Sequence, residues 1–249
     1  MLISLMYHHI NGTRYSNDFH IFQNHLQYLL ERYNIVTPGD SLGSNNNLCL
    51  TFDDAYYDFY HYVFPLLQKY NIKAVLAVPT GLIEDNTNAA IEERLSLGHD
   101  EIYIDKKYRK YGTFCTWNEL KEMHKSGLVV MASHSHKHKD LSLSDINLEE
   151  EIIESKKILE EKLSCRINTF ILPFGRYNKN SFSLLKEHYT YIFKVGQGIN
   201  KDFSGVNGLI YRIDADNTKD ITMLFTPKRK IAYFIKSLIK SFYDGIQKS

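Results

Sequence analysis

Apolar runs recur along nearly the whole chain, and the stretches between them repeat their apolar residues with helical spacing. The runs Leu2–Met6, Leu48–Phe52, Ala74–Val78, Leu128–Met131, Thr169–Leu172, Tyr191–Val195 and Ile210–Ile213 read as strands. Helical periodicity fills Phe19–Arg32, Asp58–Lys69, Trp117–Lys125, Leu148–Leu163 and Asn180–His188. Thr116 with Glu119 has the spacing of a capping box that starts one of these helices. Repeated strand-then-helix order predicts an α/β protein with parallel strands and helices outside, either a barrel or a doubly wound sheet. The polar stretch Asn86–Lys110 reads as an insertion with some helix, and Asn11–Asp18 and Ser41–Asn47 read as loops.

At 249 residues, the chain fits a single α/β domain. Such a chain buries about three quarters of its unfolded surface and folds without a staple. Thirty basic against 29 acidic residues leave a net charge of +1, which excludes a global pull toward nucleic acid. Cys49, Cys115 and Cys165 are odd in number, scattered, and form no Cys-x-x-Cys pair, as suits a reducing compartment. The opening residues do not read as a signal peptide, and no run approaches a membrane span. The expected location is therefore cytoplasmic. The 11 histidines are the compositional excess, and imidazole is both a metal ligand and a near-neutral acid or base.

Functional side chains of such folds gather at the carboxyl ends of the strands. Leu50-Thr51-Phe52 runs into two adjacent carboxylates, Asp53 and Asp54. A helix N-cap would explain one of them; the second calls for a shared cation or proton. The strand Val129-Val130-Met131 runs into His134-Ser135-His136-Lys137-His138. On one helical turn, His134 and His138 would share a face and one ion, with His136 pointing elsewhere. A third strand ends in Pro173-Phe174-Gly175, a tight turn that exposes backbone N–H groups. One Asp and two His on a divalent ion, with a position left for water, is a hydrolytic pattern; the second Asp is free to act as a base.

These three segments, in this order, resemble the motifs of the polysaccharide deacetylase family of metal-dependent sugar N-deacetylases. The resemblance runs from about Leu2 to Ile213 and implies a distorted, seven-stranded, TIM-like (β/α) barrel. It implies Asp53 as catalytic base, with Asp54, His134 and His138 as metal ligands. Phe174, with Gly175, would line the groove and lend a backbone N–H to the oxyanion. The chain departs from the family pattern in three places: Ala55 replaces the usual Gly, no Arg stands between Ile167 and Pro173, and no His follows His188. Leu5-Met6-Tyr7-His8-His9-Ile10 is similar to the opening segment of the poly-N-acetylglucosamine deacetylases, whose barrel is circularly permuted. That likeness makes His8 the candidate general acid and turns His9 away from it in an extended segment. Arg212, at the end of the last strand, is the candidate replacement for the missing Arg near Asp53.

The expected reaction removes an N-acetyl group from an N-acetylhexosamine in a glycan or glycolipid and releases acetate. Zinc is the default divalent ion. Other readings are a deacetylase of a nucleotide sugar or small N-acyl compound, and a carbohydrate-binding relative without turnover. Residues 1–226 read as the catalytic domain and 227–249 as a basic amphipathic helix. There, Lys228, Arg229, Lys230, Lys236, Lys240 and Lys248 accompany Ile231, Phe234, Ile235, Leu238, Ile239, Phe242 and Ile246 at helical spacing, against a lone Asp244. A helix laid over the barrel is the first expectation for it. A helix resting on anionic lipid at the inner membrane face, beside a lipid-linked sugar, is the second. Trp117 is expected to pack rather than to stack on sugar.

Overall fold

Among the described residues, eight parallel strands organise the chain: β1 (Leu2–Tyr7), β2 (Asn34–Ile35), β3 (Asn47–Phe52), β4 (Ala74–Val78), β5 (Val129–Ser133), β6 (Thr169–Ile171), β7 (Tyr191–Val195) and β8 (Ile210–Asp214). The computed structural model describes all residues except 11–13, 45, 103–105 and 247–249. Parts of the three expected loop regions, and Lys248, therefore lie outside the described residues, as do the side chains of Phe242, Asp244 and Ile246.

Seven of the strands close into a barrel in the order β1-β8-β7-β6-β5-β4-β3, with β1 pairing back onto β3. These are the seven runs expected from the sequence. The two-residue β2 pairs only with β3 and stands outside the ring. The seam between β1 and β3 is regular, from Leu2 opposite Asn47 to Tyr7 opposite Phe52. Between β5 and β6 the ladder shrinks to Ser133 opposite Phe170, which is where the barrel is distorted.

Side-chain alternation divides the core in two. Leu2, Cys49, Val75, Ala77, Ile171, Phe193 and Ile210 form a compact inner cluster, and the larger cluster lies between strands and helices. Continuing the inner phase two residues at a time leads from Leu2 to His8, from Cys49 to Asp53 and from Ile210 to Arg212. The strand register alone thus aims these three side chains toward the top of the lumen.

The helices follow the expected spans with two local departures. Trp117–Lys125 starts on the expected box: the Glu119 N–H donates to Thr116 Oγ1 at 3.4 Å and the Thr116 N–H to Glu119 Oε2 at 2.7 Å. Trp117 is buried, as expected for packing. Within Asp58–Lys69, Phe59–Val63 is a π turn before the α-helix Phe64–Tyr70. Pro65 has no N–H to give to the carbonyl of residue 61, and the Phe64 N–H bonds to the Phe59 carbonyl instead. A second π turn, Glu149–Glu154, precedes the α-helix Ser155–Leu163. Among its described residues, the insertion holds the short helices Ile91–Arg94, His99–Ile102 and Lys107–Tyr111.

The last helix, Pro227–Ile246, meets the first expectation for it, though not with its apolar stripe. It lies on the barrel through Tyr233 and Ser237, which are buried, while Ile231, Phe234, Ile235, Leu238 and Ile239 are exposed. Ser237 Oγ donates to the Ile199 carbonyl at 2.7 Å and accepts the Ile199 N–H at 3.0 Å. Among the described residues, no helix is long and apolar enough to cross a membrane.

Candidate active site

At the end of β3 the backbone turns sharply. The Asp53 N–H still bonds to the Tyr7 carbonyl at 2.9 Å, and then Asp54 (φ 70°) and Ala55 (φ 52°) both occupy the left-handed region. Two such residues in succession point neighbouring carboxylates in different directions, so Asp53 and Asp54 have separate partners. The cost is of the order of 1 kcal/mol per residue, and Ala55 accepts it without the freedom of glycine.

Asp53 meets Arg212 in a two-pronged ion pair: Nη1 donates to Oδ1 at 2.6 Å and Nη2 to Oδ2 at 2.8 Å. Nη1 also donates to Thr51 Oγ1 at 3.1 Å. Both charged groups are buried. Burial alone would raise the Asp53 carboxyl, but Arg212 first, then His134 and His8, outweigh it and hold the group well below the usual carboxylate range. Asp53 is therefore an anion at any working pH.

Asp54 faces the two histidines. Its Oδ1 lies 3.5 Å from His134 Nε2 and 3.3 Å from His138 Nε2, is buried, and has no hydrogen-bond partner. An orphaned carboxylate oxygen between two imidazole nitrogens suits a shared cation. Ligand bonds of about 2.05 Å in a tetrahedral shell place donors roughly 3.3 Å apart, which is the spacing seen here. His134 Nδ1 lies 2.7 Å from the Ile171 carbonyl, which can only accept, so Nδ1 carries a proton and Nε2 is the ring atom left to face an ion. Burial pushes His138 down to about 4, against the pull of Asp54, and so keeps it neutral. Asp54, His134 and His138 thus fit a divalent ion, with their donor atoms all within 4.8 Å of one another.

The helical turn expected for His134–His138 is absent. The segment is irregular, with Ser135 (φ 65°) and His138 (φ 53°) left-handed, and these kinks rather than helical spacing bring the imidazoles together. Glu151 holds the loop in this shape: its buried carboxylate accepts the N–H groups of His136 at 3.0 Å and Lys137 at 2.8 Å. His136 turns away to Thr80, with Nδ1 2.9 Å from Oγ1.

His8 stands on the other side of Asp53, its Nε2 3.7 Å from Asp53 Oδ2. Its Nδ1 donates to Asp216 Oδ2 at 2.5 Å, and its backbone N–H donates to Asp216 Oδ1 at 3.1 Å. Burial would lower this imidazole, but the hydrogen bond and charge of Asp216, with Asp53 and Asp54 behind, raise it to about 9. His9 points away as expected, with its ring stacked on Tyr56 at 3.6 Å and Nδ1 3.0 Å from Asp58.

Phe174 closes the third edge. It is left-handed (φ 55°), 57 % exposed, and its ring centre lies 4.7 Å from that of His138. The Gly175 N–H is committed to the Leu172 carbonyl at 3.0 Å, so Gly175 is not the expected oxyanion donor. Its part is conformational: φ is +65°, and a Cβ there would meet Val195 Cγ1 at 2.5 Å.

Asp216 and Glu151 were not singled out in the sequence. Asp216 sits two residues beyond a strand end, a place that could have been searched for carboxylates. Glu151 lies in the run Glu149-Glu150-Glu151, which reads as a solvated face.

Comparison with known proteins is consistent with these residues. Residues 43–192 match the family model described as polysaccharide deacetylase. A poly-beta-1,6-N-acetyl-D-glucosamine N-deacetylase of Escherichia coli (strain K12) is 40% identical over 86 residues, 34% of this chain and 11% of that protein. The enzyme of the same name from Staphylococcus aureus (strain MSSA476) is 26% identical over 148 residues, 55% of this chain and 43% of that protein. The chain thus spans about a tenth of the first relative and less than half of the second. Among solved structures, a de-N-acetylase from Aggregatibacter actinomycetemcomitans superposes with a TM-score of 0.73 at 20% identity, covering 90% of this chain and 98% of that one.

Proposed function

We propose that this chain, which belongs to the polysaccharide deacetylase family, hydrolyses the N-acetyl amide of N-acetylglucosamine units in a glycan, releasing acetate and leaving a free amine. One observation carries the reading. At one end of the barrel an ionised carboxylate locked by Arg212 lies beside a second carboxylate that faces two histidines. The names of the two curated relatives point to a β-1,6-linked polymer as the substrate class.

The residues divide the work by protonation state. A divalent ion held by Asp54, His134 and His138, with zinc as the default, would supply Lewis acidity, polarising the acetamide carbonyl and lowering the pKa of water. Asp53 takes the proton from the attacking water, and Arg212 fixes both of its oxygens while it does so. The Phe174 N–H is the donor assigned to the developing oxyanion, since that of Gly175 is engaged. As the C–N bond breaks, His8 gives its proton to the leaving nitrogen. Asp216 makes that possible by keeping His8 protonated and turning Nε2 toward the site.

The pH dependence follows. Activity needs Asp53 ionised and His8 protonated, so it is retained in mild acid and falls as pH rises through about 9. Asp216→Asn removes the charge that raises His8, so the alkaline fall in kcat/KM should begin at lower pH. An unmoved alkaline limb would remove His8 from the acid role. The substrate class is tested by acetate release from β-1,6- and β-1,4-linked N-acetylglucosamine oligomers and from a nucleotide sugar. The proposal expects the β-1,6 oligomers to be preferred, and turnover of the nucleotide sugar alone would overturn it.

A further inference from the structure

The helix Pro227–Ile246 is docked with its amphipathic polarity reversed. At roughly 100° per residue, Ile231, Phe234, Ile235, Leu238 and Ile239 fall within one arc of about 140°. The barrel contact through Tyr233 and Ser237 lies nearly opposite that arc. The five apolar side chains are between 45% and 61% exposed. Isolated exposed apolar residues are ordinary, but a continuous stripe along a surface helix marks an interaction surface. Met223, which precedes the helix, is also exposed, at 55%. It lines a groove of about 470 Å³ together with Lys228, Arg229 and Lys236.

The charge beside the stripe selects the partner. Arg229 and Lys236 lie on one flank of the apolar arc and Lys230 on the other, and the only carboxylate in the sequence from 227 onward is Asp244. A two-fold contact between copies of this chain would set these cations against their own equivalents, which is repulsive. A basic-flanked apolar stripe on a helix lying flat matches an anionic bilayer surface: the apolar arc enters the acyl boundary while the cations meet phosphate groups.

We propose that this helix seats the barrel on an anionic lipid surface, with Ile231, Phe234, Ile235, Leu238 and Ile239 as the inserted face and Arg229, Lys230 and Lys236 as headgroup contacts. None of these residues is among those assigned to the candidate active site, and binding is read without turnover, so failure of the deacetylase assignment would leave it standing.

The test is co-sedimentation of the full chain with phosphatidylcholine vesicles, with and without phosphatidylglycerol. Binding should require phosphatidylglycerol and weaken as salt is added. Arg229→Gln with Lys236→Gln should lower the partition coefficient about fivefold for each charge removed. Phe234→Ser with Leu238→Ser should lower it more than about tenfold. Both positions are exposed, so the thermal midpoint should hold and misfolding is set aside. A parent chain that stays in the supernatant, or variants that bind as it does, would overturn the proposal. So would a parent dimer that the serine variant converts to monomer, since the face would then belong to a second copy.

Discussion

Asp53→Asn is expected to lower deacetylation by a factor of about 10²–10⁴ while the divalent ion stays bound. The amide is nearly isosteric, and Asp54, His134 and His138, the three groups placed to hold the ion, are left intact. What disappears is the basic site: Asn has no lone pair able to take a proton from water at neutral pH. The substitution also sets an amide against the Arg212 fork, which lies 2.6 and 2.8 Å from the two Asp53 oxygens. Some loss of stability therefore accompanies the loss of rate. Elemental analysis separates the two effects, because an ion retained at the parent stoichiometry reports an intact site. Activity within a few fold of the parent, with the ion in place, would take the base assignment away from Asp53.

Arg212→Met carries the largest expected effect on stability. Arg212 and Asp53 are both almost completely buried, and taking one partner from a buried ion pair costs about 3–5 kcal/mol because the other charge is left without compensation. For a chain of this size that corresponds to a thermal midpoint lower by roughly 10 °C. The sign of the pH dependence follows from the depressed Asp53 carboxyl. Its contribution to stability is present above the ordinary carboxylate range and is lost as pH falls through its own, lower value. Without the guanidinium that value rises, so the variant should lose activity in mild acid where the parent keeps it. The double variant Asp53→Asn, Arg212→Met removes both charges and should regain part of the lost stability. A double variant less stable than Arg212→Met alone would mean that the pair is not what stabilises this end of the barrel.

The strands were legible because barrel strands are buried on both faces and leave continuous apolar runs, so each of the seven runs became a staff of the barrel. The carboxylate pair and the histidine pair were legible because each directly follows such a run. The route to the histidine geometry was not. Spacing suggested a helical turn, whereas left-handed Ser135 and His138 bend an irregular loop, and nothing local in that polar stretch distinguishes the two. The meeting of His8, Asp53 and Arg212 depends on β1 standing between β3 and β8, a matter of closure that no local pattern encodes. Resemblance supplied the expectation, and period-two alternation accounts for it physically. Asp216 escaped notice because Asp214-Ala215-Asp216-Asn217 looks like turn residues, and Glu151 because a π turn carries one member of an acidic run inward. In the last helix the periodicity revealed an apolar face. Which face docks was decided by Tyr233 and Ser237, a stripe too narrow to stand out in the sequence.

The central claim is that Asp54, His134 and His138 hold an ion on which N-deacetylation depends. Acetate release from β-1,6-linked N-acetylglucosamine oligomers, before chelation, after it, and after one equivalent of divalent metal is restored, tests it most directly. Release should vanish with the ion, return with it, and match the free amine formed mole for mole. Release that survives complete removal of the ion would contradict the account, as would a fully loaded site that frees no acetate.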